Sequence, residues 1–328
     1  MYEEVLPDFF RIGVPLPNNP LRELNAYLVR GASRNLLIDN GFNTRESAEA
    51  LHEALEELEV NLVDTDFFLT HLHSDHNGLT SSLLRSPFSK VFCSKEDGDR
   101  LNRFITDENY WPLMMHGLVR HGFPEEEMRV LFETHPGKIY ASTNPLPISH
   151  VEEGDNIRYG RYTFSVVEVP GHTPGHVSLY EPATRTYVAG DHILGRISPN
   201  ITRWDGVDDS LGDYLKSLDK VARLSIDLTL PGHRHLIQNT AERIRQLQEH
   251  HAGRLEEVCV ILAEHGLVSA YVVASRMRWS LRGITWDEFK VQQKCFAAGE
   301  ALAHLTHLAA TGRAVREEKG ENVFFHLL

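Results

Sequence analysis

The chain has 328 residues, 41% of them apolar and 24% charged, an ordinary globular composition with room for two domains or one large domain and an appendage. A formal net charge of −13 disfavours nonspecific binding to nucleic acid or anionic lipid, and no apolar run approaches the roughly 18–20 residues of a membrane span. Three scattered cysteines (Cys93, Cys259, Cys295) argue against a disulfide framework, and the first residues lack a basic head followed by an apolar stretch, so the expected compartment is the reducing cytoplasm.

In chain order, Asn25–Val29 and Asn35–Asp39 read as short strands, followed by the turn signal Asn40-Gly41. Residues 44–59 read as a helix, with Thr44 as N-cap and Ala48, Leu51, Leu55 and Leu58 on one stripe. Asp66–Thr70 suits a buried strand, which completes an α/β rhythm. Residues 94–135 break that rhythm as a small helical insertion. Ser94-Lys-Glu-Asp97 resembles a capping box, and Pro124-Glu-Glu-Glu127 a helix start. Scaffold packing and a lid over a site are both open roles for this insertion, which carries Trp111, Met114, Met115 and Phe123.

Strand composition returns in Tyr162–Val169, Val177–Tyr180, Thr186–Ala189 and Asp227–Leu230, with a helix over 208–224. Beyond residue 240 the acidic and basic side chains balance, so the whole charge deficit lies before it. There the pattern gives a helix over 241–265 stopped by Gly266, and a short helix capped by Ser269. A capping box at Thr285–Glu288 opens a long helix to Thr311, and a hairpin over 313–327 follows. Three helices and a hairpin outline a winged helix, which sets expected domains of 1–240 and 241–328.

The chemistry concentrates in Thr70-His71-Leu-His73-Ser-Asp75-His76, just after the strand that ends near Thr70. Imidazole and carboxylate are the usual ligands of zinc and similar divalent metals, and four such side chains in so short a loop suit two adjacent ions better than one. Three further candidates each follow an apolar run and a glycine: His172 after Pro-Gly, Asp191 after Gly190, and His233 after Pro-Gly. Asp39, at the end of a strand, is either an acceptor for a ligand histidine or a turn cap. His176 is expected beside the ligands. His192, next to Asp191, is a candidate catalytic group facing the substrate.

Taken together, His-x-His-x-Asp-His, Gly-His-Thr-Pro-Gly-His, Gly-Asp and Pro-Gly-His resemble the ordered motifs of the metallo-β-lactamase fold superfamily over residues 10–240. The resemblance implies an α+β fold, an αββα sandwich with the site at the edge of two packed sheets. It also implies one metal on His71, His73 and His172, a second on Asp75, His76 and His233, and Asp191 bridging. Aspartate at position 191, where the best-known zinc β-lactamases carry cysteine, is similar to the glyoxalase II, RNase Z and lactonase branches. Asp191-His-Ile-Leu-Gly195 and the C-terminal outline most resemble the lactamase-β-like-2 group.

The expected activity is therefore hydrolysis by a hydroxide bridging two divalent metals, most readily zinc, with iron or manganese as alternatives. Asp75 would double as proton acceptor. The acidic first domain and the apolar insertion favour a small-molecule thioester, ester or lactone. The alternative is an endoribonuclease on single-stranded RNA, for which Arg276, Arg278 and Arg282 could form a basic patch. A homodimer is compatible with either, and no membrane role is expected.

Overall fold

The computed structural model describes residues 1–279 and 283–328. Its first sheet has seven strands in chain order: β1 (Tyr2–Leu6), β2 (Phe9–Pro15), β3 (Glu23–Val29), β4 (Asn35–Ile38), β5 (Thr65–Phe68), β6 (Val91–Ser94) and β7 (Ile148–Val151). β1 to β4 form an antiparallel meander, and β4 to β7 run parallel. The parallel half needs crossovers. They are α1 (Arg45–Glu57), then α2 (Ser74–Asn77) with α3 (Thr80–Leu83), then a helical excursion between β6 and β7. The second sheet holds β8 (Asn156–Tyr159), β9 (Tyr162–Glu168), β10 (Val177–Glu181), β11 (Thr186–Gly190) and β12 (Leu228–Pro231). Its spatial order is β12-β11-β10-β9-β8, with only β11 and β12 parallel.

Period-two alternation buries both faces of each sheet. In β4, Leu36 and Ile38 face the second sheet, where they meet Phe164, Val166, Leu179 and Val188, whereas Leu37 joins Leu51 and Leu55 of α1 on the outer side. In β11, Val188 points between the sheets and Tyr187 and Ala189 point out towards the helices that cover the second sheet. The anticipated αββα sandwich is present. β1, β2 and β6 to β8 are strands that the composition had not singled out.

The excursion comprises α4 (Lys95–Thr106), α5 (Tyr110–Arg120), α6 (Glu125–Thr134) and α7 (Pro136–Ile139). Ser94 caps α4 through Asp97 N–H, but the Asp97 carboxylate does not close the expected box; it turns to the loops of the site instead. Trp111, Met115, Phe123, Met128 and Leu131 lie in one apolar cluster with α8 (Ser210–Val221), α9 (Thr240–His265) and α11 (Val291–Ala310). The insertion is thus built into the core on this side, and Lys294 to Glu127 at 2.7 Å ties it to α11.

α10 (Ala270–Arg276) is capped by Ser269, and the hairpin is β13 (Ala314–Lys319) with β14 (Asn322–Leu327), joined by a bridge between Val268 and Phe325. The Thr285 box does not open α11. It closes a single 3-10 turn, Trp286–Glu288, after which the chain is extended at Phe289, whose ring is buried beside Trp286. α11 starts afresh at Val291, with Gln293 accepting from Lys290 N–H. Arg282 of the anticipated basic patch lies outside the described residues; Arg276 ends α10, and Arg278 is tied through its backbone to Glu257 and Arg254. Among the described residues no helix is long and apolar enough to cross a membrane.

Candidate metal centre

The loops that leave β4, β5, β9, β11 and β12 meet at one edge of the sandwich. β5 delivers Thr70 to His76, and the chain turns at once into α2, where Asn77 Nδ2 donates to the His73 carbonyl at 2.7 Å and Asn40 N–H donates to the His76 carbonyl at 2.9 Å. The loop after β9 folds back so that Val169 N–H reaches the His176 carbonyl, while Val177 N–H donates to the Thr70 carbonyl across the sandwich. The loop after β12 comes so near the others that a Cβ on Gly232 would stand 2.6 Å from Asp191 Oδ1 and 2.7 Å from His76 Cε1. Only glycine fits between those two side chains.

His71 Nε2 lies 3.0 Å from His73 Nδ1, and these atoms form a compact triad with His172. Asp75, His76 and His233 form a second triad, with His233 Nε2 at 3.4 Å and His76 Nε2 at 4.0 Å from Asp75 Oδ2. Asp191 stands between them. Its Oδ1 is 3.5 Å from His76 Nε2, and its Oδ2 is 3.6 Å from His233 Nε2 and 3.7 Å from His172 Nε2. Nε2 of His76, His172 and His233 and Oδ1 of Asp191 are buried without a hydrogen-bond partner. Stranded polar atoms of this kind cost ~1–3 kcal/mol each, so four gathered in the two adjoining triads imply missing partners there.

The outward nitrogens are, by contrast, satisfied. His76 Nδ1 donates to Asp39 Oδ2 at 2.7 Å, His172 Nδ1 to the Asn200 carbonyl at 2.7 Å and His233 Nδ1 to the Glu23 carbonyl at 2.8 Å. His71 Nδ1 meets Thr70 Oγ1 at 3.0 Å, and that hydroxyl in turn donates to Asp39 Oδ2 at 2.8 Å. These bonds fix each ring so that its free nitrogen points inward. The Asp191 N–H donates to His176 Nε2 at 3.1 Å, and the His176 ring stacks on His71 with centroids 4.9 Å apart.

Burial pushes the His71, His73 and His172 rings towards their neutral, ligating form, His73 to about 3. Burial also works to raise Asp75 and Asp191, but the surrounding histidines outweigh it. His76 and His233 hold Asp75 at about 2; His233 and His76 hold Asp191 well below the usual carboxylate range. Both carboxylates are therefore ionised without metal, and the charges of Asp39, Asp75 and Asp191 in turn, against burial, raise His76 and His233, whose protons metal binding has to displace.

The seven sequence-predicted ligand positions thus converge, and Asp39 and His176 lie against them. His192 does not face the open side. It is 0% exposed, its Nδ1 is paired with the Tyr187 hydroxyl at 2.9 Å and its ring stands edge-on to Tyr214. The turn that presents Asp191 sends the next side chain inward to the helical layer. Three other residues here had no sequence signal. Asp97 accepts from Leu72 N–H, Thr173 Oγ1 and Gly175 N–H, joining two ligand loops. Trp204 Nε1 donates to the His172 carbonyl, and Asn200 accepts from the same histidine's ring.

Against this geometry, the family model for the metallo-β-lactamase superfamily matches residues 20–233, and a model for the metallo-β-lactamase-like C-terminal domain matches 286–326. The chain belongs to the metallo-β-lactamase superfamily. A probable metallo-hydrolase of Bacillus subtilis is 28% identical, over 97% of this chain and 97% of its own. The crystal structure of a metallo-β-lactamase family protein from Thermus thermophilus superposes with a TM-score of 0.83 at 28% identity, covering 99% of this chain and 100% of that one. Among more distant superfamily relatives, an atrochrysone carboxyl ACP thioesterase of Emericella nidulans is 22% identical over 74% of this chain and 60% of its own.

Proposed function

We propose that this superfamily member is a binuclear metal-dependent hydrolase acting on an acyl compound: a thioester, an ester or a lactone. The observation that carries the reading is the convergence of buried, unpartnered Nε2 atoms of His76, His172 and His233 with Oδ1 of Asp191. His71, His73 and His172 would hold one divalent ion, Asp75, His76 and His233 a second, with Asp191 shared. An all-nitrogen-and-oxygen set suits zinc, with iron and manganese as alternatives. When bound, such ions supply Lewis acidity and bring the pKa of a water down towards ~7.

The chain's own groups do the rest. His73, Asp75 and Trp204 line the more open side of the centre: the Asp75 side chain is 14% exposed, and the Trp204 ring lies 6.0 Å from that of His73. Asp75, on this more open side, is placed to accept a proton from the attacking water and return it to the leaving group. The net charge of −13 and this aromatic side suit a neutral or apolar acyl group better than a polyanion. The likeness to a thioesterase points the same way. Residues 241–328 we read as a winged-helix-like unit, on the strength of three helices, the hairpin and the Val268–Phe325 bridge.

The test is elemental analysis of the purified protein together with acyl-thioester, ester and lactone panels. Two equivalents of metal and hydrolysis lost in Asp75→Ala are expected. Turnover that persists after complete metal removal would refute the proposal, and cleavage of single-stranded RNA with no acyl hydrolysis would replace the substrate class.

A further inference from the structure

The segment that leaves Asp191 runs through residues 192–204 before α8, and its far end holds His172 from two sides. The Asn200 carbonyl accepts from the ring at Nδ1, and Trp204 Nε1 donates to the backbone carbonyl. The helices beyond residue 240 grip this segment. Arg243 of α9 donates to the Leu194 carbonyl at 2.6 Å and to the Ile197 carbonyl at 2.9 Å. Ile201 is fully buried in the apolar cluster that contains Ala298, Ala301 and Leu302 of α11. Gly299 lets α11 lie directly on the segment, because a Cβ there would collide with Thr202 Oγ1. Asn200 Nδ2 donates to Glu300 Oε2 at 3.2 Å and to the Phe296 carbonyl at 3.3 Å. Glu300 is itself held: Oε1 lies 3.6 Å from Arg254 Nε, and the Arg254 guanidinium stacks on Trp279 and pairs with Glu257 at 2.6 Å.

We propose that Glu300, on the C-terminal helix α11, is a positioning residue for the metal centre, acting through Asn200 to fix the ring of His172. A chain of contacts runs from Trp279 and Glu257 to the Arg254 guanidinium, through its 3.6 Å ion pair with Glu300 and the hydrogen bond from Asn200 to Glu300, and ends at the Asn200 carbonyl that accepts from His172 Nδ1. The opposite ring atom, Nε2, is one of the unpartnered ligating atoms. A ligand ring whose outward nitrogen loses its acceptor is free to rotate, which weakens metal binding. The C-terminal unit thereby completes one of the two triads and leaves the other, Asp75, His76 and His233, untouched. The inference rests on reading His172 as a metal ligand.

The test uses the full chain and zinc affinity, read by competition with a chelator, with cobalt absorption as the signature of ligand geometry. Asn200→Ala keeps the carbonyl that faces His172 and removes only the tether to α11; Glu300→Ala removes the other end. Each is expected to weaken one zinc about 10-fold, change the cobalt spectrum and leave the second zinc in place. Glu300→Gln, which keeps an acceptor for Asn200, is expected to restore both readouts. The double variant Asn200→Ala/Glu300→Ala should be no weaker than either single, as one shared contact requires. Should Glu300→Ala fail to fold, Asn200→Ala carries the test alone. Unchanged affinity at both sites in Asn200→Ala, or equal loss at both, would overturn the coupling. A wild-type protein that takes up no zinc would instead overturn the ligand assignment beneath it.

Discussion

Asp39 accepts from Thr70 N–H, from the Thr70 hydroxyl and from His76 Nδ1, so one carboxylate orients a histidine of each triad, His76 directly and His71 through Thr70. Thr70→Val removes the hydroxyl that accepts from His71 without changing side-chain volume much. It is expected to lower zinc affinity by about 10- to 100-fold, measured by chelator competition, with the folded content unchanged. Asp97 offers a second test. In Asp97→Asn an amide NH2 would confront either Leu72 N–H or Gly175 N–H, stranding a buried donor at a cost of about 1–3 kcal/mol. Urea denaturation of the metal-free protein should show that loss; an unchanged midpoint would mean that Asp97 does not hold the two loops together. The candidate ligand residues were legible because rare side chains are concentrated in one short motif after Thr70 and recur behind glycine turns at His172, Asp191 and His233. Asp97, Asn200 and Trp204 were not, because a lone Asp, Asn or Trp acquires a role only when a distant loop is brought to it.

At the level of elements, length did not decide which strands were readable: the four-residue β4, β5 and β12 stood out as apolar runs ahead of a turn or a ligand motif, whereas the equally short β6, β7 and β8 and the seven-residue β2 did not. Capping boxes located helix starts but not helix continuity: Thr285 closes one turn only, since the buried Phe289 bends the chain into the core before α11 begins. The packing between the sheets is the least forgiving part of the layer structure. Phe164 is fully buried there and touches Phe9 edge-on at 5.9 Å and Tyr162 at 5.9 Å. Phe164→Ala is expected to cost about 3–5 kcal/mol, read from equilibrium denaturation.

Across the whole molecule, several histidines are buried in neutral form. Burial lowers His121, His135 and His304 to about 4 and His192 to about 3, against an ordinary value of 6.5. An unfolded chain binds protons at these residues below pH 6.5 and the folded chain does not. Their contribution is thus fully present above pH 6.5 and is lost as pH falls towards 4. Asp97, raised by burial to about 6, works in the opposite sense: it favours the folded state as pH drops from 6 towards 4, and offsets part of the loss. Metal-free protein is expected to melt progressively lower between pH 6.5 and 4.5, and a flat profile there would contradict the neutral assignment. At neutral pH, excess zinc is expected to raise the melting temperature, since binding to the folded state alone stabilises it by mass action.

The order of the chain gives the shared helical core one more consequence. A ribosome releases His71 first and Glu300 more than two hundred residues later. While the nascent protein ends near His233, all seven ligands have been made, yet the outer face of the second sheet and the 192–204 segment still lack α9 and α11. Cation uptake with native affinity at the His71, His73 and His172 triad should thus be a late event in biosynthesis, after translation has reached α11.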